Sequence, residues 1–368
     1  MKDRFPLDFP LFSYILVLGS LKEETVIKMS VSIKDIAKES GVSIATVSRV
    51  MNKTGRYSKE TEDKVLSIIE DRNYVPNQIA KGLRIQKMMN VGIIVPDITN
   101  EFFVKVVSEL ENNLFREGYQ TFLCNTNENS ENEKKRAQMM SMQNVCGLVF
   151  LSSRMTDSEY DGNDLPTVFI ERFPFESQKN GSLVTSDNVQ GGYLATKELL
   201  EQGCRKILLL TGRDHISGYQ DRRRGYVQAL EEAGLGEQDV HVHYLDCLHY
   251  QDAHDAVLGL LDSGTFDFDG IFAASDWLAV GCCRALEEYG IAVPEQVKLV
   301  GYDDISITAF NTVPITTIHQ QVDEIGRLAT EQLLRAIRGE KGTKQVIRVP
   351  VYLIPRASTR GDKATKYI

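Results

Sequence analysis

From Ser43 to Arg49 the chain reads Ser-Ile-Ala-Thr-Val-Ser-Arg, side chains better suited to the edges of DNA bases than to covalent chemistry. If the run is helical, Val47 and Val50 lie one turn apart and turn inward, leaving Ile44, Ala45, Thr46, Ser48 and Arg49 outward. Small and hydroxyl side chains let such a helix sit deep in the major groove, where a methyl meets a thymine methyl and Arg49 pairs with guanine. Catalytic patterns do not stand out. There is no Ser/His/Asp set, no metal-ligand spacing and no phosphate-cradling glycine loop, and the six histidines do not cluster. The six cysteines, at 124, 146, 204, 247, 282 and 283, lack zinc or redox spacing and point to a reducing cytoplasm. The expectation is a non-enzymatic DNA binder with neither metal nor cofactor.

The neighbouring residues are those needed to position such a helix. Ser32 and Asp35, three apart, form a capping-box start, so a first helix opens at Ile33 and presents Ile33, Ile36 and Ala37 on one side. Gly41 can take the left-handed conformation that closes it. Ser43 then caps the second helix. A third begins after Ser58, turns Val65, Ile68 and Ile69 inward, and is expected to end at Pro76. The segment from Asn77 to Arg84 has the makings of one more short helix, but Gly82 costs about 1 kcal/mol relative to Ala, so it should form poorly by itself.

The run Ser32–Leu83 resembles the headpiece and hinge of the lactose/galactose-repressor (LacI/GalR) family of bacterial transcription regulators. Two motifs carry the resemblance, Ala45-Thr-Val-Ser-Arg-Val50 and Tyr74-Val-Pro-Asn-Gln-Ile-Ala-Lys-Gly-Leu83. It implies that Ile44, Ala45 and Arg49 read bases and that Ser43, Thr46, Ser48 and Asn52 position phosphates, with Tyr74 also at the DNA. It also implies a hinge helix that folds on specific DNA as two copies meet. Leu83 would then wedge into the minor groove, with Asn77 and Ala80 beside it.

Charge is distributed in keeping with this. The 368 residues carry a formal net charge of −9, yet residues 30–88 hold 11 Lys/Arg against 7 Asp/Glu, whereas residues 89–368 hold 27 against 40. The basic end suits phosphate and the acidic body does not, which confines DNA contact to one end. In residues 1–28, the apolar run Leu11–Gly19 is too short to span a bilayer, and Met29 is taken as the natural start.

From Asn90 the pattern changes. Short apolar runs at Val91–Val95, Thr121–Cys124, Gly147–Leu151, Thr167–Ile170, Lys206–Leu210, Gly270–Ala274 and Val297–Gly301 read as strands. Amphipathic segments at Glu101–Glu117, Gln190–Gln202, Asp221–Ala233, Asp276–Tyr289 and Asp323–Arg338 read as helices between them. This alternation builds parallel sheets covered by helices, which bind ligands just past the carboxyl ends of their strands. It matches the family's core, which resembles periplasmic sugar-binding proteins. The fold class expected is a small all-α helix-turn-helix headpiece plus an α/β two-lobed periplasmic-binding-protein-like core. The division is a non-native or disordered extension over 1–29, the headpiece over 30–76, a hinge over 77–88, the core over 89–358 and a polar tail over 359–368.

The resemblance also nominates a cleft. Asn100, Phe102 and Phe103 follow the first strand, and Glu171 and Arg172 follow the fourth. Arg222 falls in the Arg-x-x-Gly-aromatic motif, and Ser275, Asp303 and Gln320 match further ligand-contacting positions. Carboxylates and guanidinium groups suit the vicinal hydroxyls of a polyol, and aromatic faces suit its C–H surface. Phe102 and Phe103 serve equally as core residues, Asp276 as a helix N-cap, and Arg223 and Arg224 as solvated surface. Two departures stand out. Ser275 replaces an Asn, and Cys247 falls where the family has an aromatic, leaving Tyr250 as a substitute wall.

The sequence thus reads as a cytoplasmic, homodimeric regulator, most simply a repressor, that binds a palindromic double-stranded DNA operator under the control of a small sugar-like effector. The tail carries no leucine heptad of the kind found in tetrameric family members. Two other readings remain: the same fold answering to a partner protein or phosphorylated metabolite, and an exported solute-binding protein.

Overall fold

The computed structural model describes residues 32–51, 53–72, 74, 89–151, 165–172, 181–213, 217–340 and 345–361. Hinge residues Asn77, Ala80 and Leu83, Asn52, and the segment before Met29 lie outside them. The described residues fall into two compact units, one holding 32–74 and the other 89–361.

The first unit is three helices, α1 (Ile33–Ser40), α2 (Ile44–Met51) and α3 (Lys59–Asp71). Both halves of the Ser32–Asp35 capping box form: Ser32 N–H donates to Asp35 Oδ2 at 2.9 Å, and Asp35 N–H donates back to Ser32 Oγ. Gly41 closes α1 at φ 71°, a conformation an L side chain rarely adopts. Ser43 Oγ accepts from Thr46 N–H at 3.1 Å and starts α2. Ile36, Ala37, Val47, Val50 and Val65 are buried between the three helices, with Ile68, Ile69 and Tyr74 packed at the margin.

Helix α3 ends at Asp71 instead of running to Pro76. Glu70 and Asp71 put negative charge at the negative end of the helix dipole, which weakens the last turn. Tyr74 N–H reaches back to Ile69 O, and Arg72 makes a two-pronged ion pair with Glu39 that ties the end of α3 to α1.

In the second unit, strands β1 (Asn90–Val95), β2 (Gln120–Asn125), β3 (Gly147–Leu151), β4 (Thr167–Ile170), β5 (Ser182–Ser186) and β11 (Val346–Val349) form a parallel sheet in the order β11-β5-β4-β3-β1-β2. Strands β6 (Ile207–Gly212), β7 (His241–Leu245), β8 (Gly270–Ala273) and β9 (Lys298–Val300) form a second parallel sheet in the order β7-β6-β8-β9. Strands β10 (Thr317–Gln320) and β12 (Val351–Ile354) pair antiparallel beside it. The seven expected strands are all present. Five more were not anticipated: β5, β7, β10, β11 and β12.

Both faces of each sheet are covered by apolar clusters. Helices Glu101–Arg116 and Val322–Ile337 bury Val106, Leu110, Leu114, Ile325, Ala329 and Leu333 on one face of the first sheet, each larger side chain contributing about 1.5–3 kcal/mol. Helix Ser130–Met142 covers the other face through Ala137 and Met140. The second sheet is covered in the same way. The chain crosses between the two lobes near Ser186–Asn188, Gln320–Val322 and Val349–Val351. It then closes with a one-turn helix, Ala357–Arg360. Residues 359 and 360, expected in the polar tail, pack onto the lobe, because buried Glu198 accepts from Thr359 Oγ1 at 2.9 Å and pairs with the Arg360 guanidinium. Among the described residues no helix is long and apolar enough to cross a membrane.

Candidate functional site

In the headpiece, Ser43 at the start of α2 and Ala45 and Arg49 on it are exposed, with Thr46 and Ser48 half-buried beside them. Thr46 Oγ1 lies 3.0 Å from Ser43 Oγ, so both hydroxyls sit at the exposed start of the helix. Ile44 differs from expectation. It is half-buried and packs against the headpiece core, so only its edge faces outward. Tyr74 likewise packs at the core margin.

In the second unit a cavity of about 330 Å³ opens between the two lobes. Its first wall is the start of helix Glu101–Arg116. Asn100 Oδ1 caps that helix by accepting from Phe102 N–H at 3.0 Å. Phe102 and Phe103 stand edge to face with ring centres 5.5 Å apart, and both line the cavity while packing on the core cluster. The wall and core readings of these two residues are therefore both met.

The charged floor comes from three segments. Glu171, just past β4, has a left-handed backbone at φ 64°. Such a conformation costs about 1–3 kcal/mol and persists only where surrounding bonds fix it. Here Glu171 Oε1 accepts from Ser186 N–H at 2.8 Å and Oε2 from Asn188 Nδ2 at 3.1 Å. Arg172 lines the cavity beside it.

Arg222 enters from helix Ser217–Glu232, which lies against helix Asn188–Glu201 at glycine contacts. A Cβ on Gly192 would sit 2.0 Å from Arg222 O, and one on Gly225 would sit 2.0 Å from Val189 O, so only glycine permits this approach. Arg222 Nε donates to Asn188 Oδ1 at 2.8 Å, and its guanidinium also bonds the Ala274 carbonyl. The guanidinium carbon lies 3.5 Å from the Tyr302 ring centre and 5.4 Å from that of Tyr219, so two π-faces hold the cation. Its Nη2 is 3.8 Å from Asp303 Oδ1, and both side chains are 8% exposed. Burial pushes the Asp303 carboxyl up to about 7; Arg222 opposes the shift and Glu171 adds to it.

Ser275 lines the cavity and caps helix Asp276–Glu288, its Oγ accepting from Leu278 N–H. Asp276 is therefore not the N-cap. It is wholly buried, accepting from Thr317 Oγ1 at 2.6 Å and Ile305 N–H at 2.9 Å. Gln320 is not on the cavity wall either. It lies behind Asp303, donating to Asp303 Oδ1 at 2.6 Å and accepting from Ser186 Oγ at 2.5 Å, which joins two of the interlobe crossovers. Arg224 is exposed, as expected, but Arg223 is half-buried.

Cys247 is exposed and off the wall, whose lining there is Leu248, His249 and Tyr250. Sequence reasoning missed Tyr219 and Trp277. Trp277 follows β8 by only a few residues, so the rule of looking past strand ends would have found it. Across the cavity's edge, Glu101 accepts from Ser306 N–H and Oγ, linking the first wall to the loop that carries Asp303.

The arrangement offers an exposed, small-residue helix face and a polar cavity with aromatic walls, and comparisons with known proteins place both. The family described as bacterial regulatory proteins, lacI family, matches residues 32–77, and the periplasmic binding protein-like domain matches residues 196–359. The ribose operon repressor of Halalkalibacterium halodurans is 33% identical over 332 residues, covering 90% of this chain and 98% of that protein. The HTH-type transcriptional repressor PurR of Haemophilus influenzae is 34% identical over 325 residues, covering 87% and 95%. In fold the chain is similar to the lac repressor dimer bound to operator and the anti-inducer ONPF, with a TM-score of 0.80 at 23% identity over 89% of this chain and 99% of that one. With helix-turn-helix, two-lobed core and full-length relatives in agreement, the chain belongs to the lacI family of bacterial regulatory proteins and is a DNA-binding transcriptional repressor with an effector-binding core.

Proposed function

We propose that the protein acts in the cytoplasm as a homodimer on a palindromic operator, with its affinity set by a polyol, most simply a sugar, in the interlobe cavity. The observation that carries this is the buried Glu171–Arg222–Asp303 floor, bonded through Asn188, Ser186 and Gln320 to the segments that cross between the lobes. An effector touching Asn100, Phe102, Phe103, Glu171, Arg172, Arg222, Ser275 and Asp303 contacts both lobes at once, with Gln320 holding Asp303 from behind. It therefore binds one lobe arrangement better than another, and that difference in affinity is what shifts the equilibrium. Thermal unfolding of the full chain against pentoses, hexoses, disaccharides, sugar phosphates and purines tests this. A ligand at 100 times its dissociation constant adds about 2.7 kcal/mol to the state it binds. A shift confined to sugar phosphates would refute the free-sugar reading.

On DNA, Ala45, Arg49 and the outer edge of Ile44 read bases, while Ser43, Thr46, Ser48 and Asn52 hold phosphates near Tyr74; Leu83, flanked by Asn77 and Ala80, tests the central minor groove. Arg49→Ala should weaken binding to the preferred operator by about 1–3 kcal/mol and hardly change binding to random DNA. Equal losses on both, measured by fluorescence anisotropy, would remove Arg49 from base readout.

Two exposed apolar surfaces support a dimer. Phe122 and Leu123 are 41% and 49% exposed on β2, an edge strand. In the other lobe Phe310 is 87% exposed near a groove of about 510 Å³ lined by Val280, Ile291, Val293 and Val313. Phe310→Asp is expected to raise the dimer dissociation constant about thirtyfold, the size of an interface hot spot near 2 kcal/mol. An unchanged sedimentation profile would place the interface elsewhere.

A further inference from the structure

The cavity is graded along its depth. Glu171, Arg222 and Asp303 form a closed end less than one-tenth exposed, whereas His249, Tyr250 and Gln251 are exposed at the mouth. Trp277 is half-buried between them and packs on the core cluster of the opposite lobe. The Tyr250 and Trp277 ring centres are 6.2 Å apart at 39°, so the two rings make one continuous aromatic ledge.

The ledge is fixed from both sides. Trp277 stands in the first turn of helix Asp276–Glu288, which is held by the Ser275 cap and by the buried Asp276 carboxylate. Tyr250 opens helix Tyr250–Asp262, whose backbone meets the neighbouring helix at Gly281, where an added Cβ would lie 2.1 Å from Tyr250 O. Only glycine allows that contact, and the contact sets the spacing of the rings. Rigid aromatic faces rimmed by His249 and Gln251 suit a flat, amphipathic ring, either the C–H face of a sugar or a nucleobase. The charged floor at the closed end already matches the hydroxyls of one ring.

We propose that Tyr250 and Trp277 form an outer subsite, so that the effector is a polyol ring carrying a second ring, a disaccharide or a nucleoside, and a free monosaccharide fills only the inner end. The proposal rests on the reading of this cavity as the effector site. Trp277 is the only tryptophan in the 368 residues, so intrinsic fluorescence of the full-length protein reports the ledge directly.

Titration with glucose, galactose and ribose, then cellobiose, lactose, maltose, adenosine and cytidine, tests it. At least one two-ring ligand is expected to bind tenfold or more tightly than its own monosaccharide and to shift the Trp277 emission. A disaccharide or a nucleoside as the hit identifies the second ring. Tyr250→Ala and Trp277→Ala, the latter followed by calorimetry, should each weaken that ligand about tenfold and leave the monosaccharide within twofold. A monosaccharide as tight as its two-ring counterpart, or equal losses for both in the two variants, overturns the subsite while leaving the cavity reading intact. Binding of none of the eight compounds overturns both.

Discussion

Arg222→Ala is expected to weaken effector binding by about 3 kcal/mol, more than a hundredfold in dissociation constant, and to move the effector response of operator affinity to correspondingly higher concentrations. The guanidinium is buried between two aromatic rings, fixes Asn188 at the first crossover, and is the cation nearest Asp303. Its loss removes charge-assisted donors from the floor and also changes the neighbouring acid. Burial has already pushed Asp303 to about 7, against the opposing pull of Arg222 and of the Gln320 hydrogen bond. Removing the guanidinium raises it further, so the carboxyl at neutral pH shifts toward its protonated form and loses acceptor capacity. Arg222→Lys restores the charge but not the fork, so it should recover only part of the affinity. Calorimetry on all three proteins decides the matter, and an Arg222→Ala affinity within threefold of the parent would take Arg222 out of the site.

The second large effect belongs to the other unit. Ile36→Ala should abolish binding to every DNA sequence and leave effector affinity unchanged. Ile36 is wholly buried in a core of five such apolar residues, and truncating a buried Ile costs about 2–5 kcal/mol. A core this small supplies only about 3–5 kcal/mol in total, so the headpiece unfolds. The contrast with Arg49→Ala, which should lose discrimination but keep the fold, separates folding from readout. Retained operator binding by Ile36→Ala, or a concurrent loss of effector binding, would count against this account.

The headpiece was legible because its signals are local. Ser32 with Asp35, Gly41, Ser43 and Ser58 each act within a turn of their own position, and the structure uses every one. The expected strands were legible as short continuous apolar runs, most of them buried on both faces, the edge strand β2 being the exception. Three of those missed lack such runs: β5 has serine at both ends, β7 alternates His with apolar residues, and β11 is an edge strand with an exposed Arg348, whereas β12 is a continuous apolar run of only four residues that was passed over. Helix Ser130–Met142 escaped because its first seven residues are all polar and its apolar residues follow no helical stripe, Ala137 and Met140 packing inward while Met139 and Met142 are exposed.

At the cavity, position past a strand could be read but depth could not. Gln320 was placed at the ligand and Asp276 at the helix N-cap by pattern, yet each is drawn behind the wall by hydrogen bonds to residues distant in sequence. Trp277 was passed over because its neighbours Ser275 and Asp276 fitted the polar expectation.

The three crossings between the lobes set an order on synthesis. The first lobe needs helix Val322–Ile337 and strand β11, both encoded after the whole second sheet, so it stays unfinished until nearly the entire chain has emerged. The headpiece, complete by Asp71, precedes that moment by roughly 280 residues, some tens of seconds at ~5–20 residues per second. For that interval the nascent protein carries a finished DNA-reading helix and no finished cavity to govern it. A message broken after β10 would leave a product that carries the headpiece sequence with a first lobe lacking one of its edge strands and one of its covering helices.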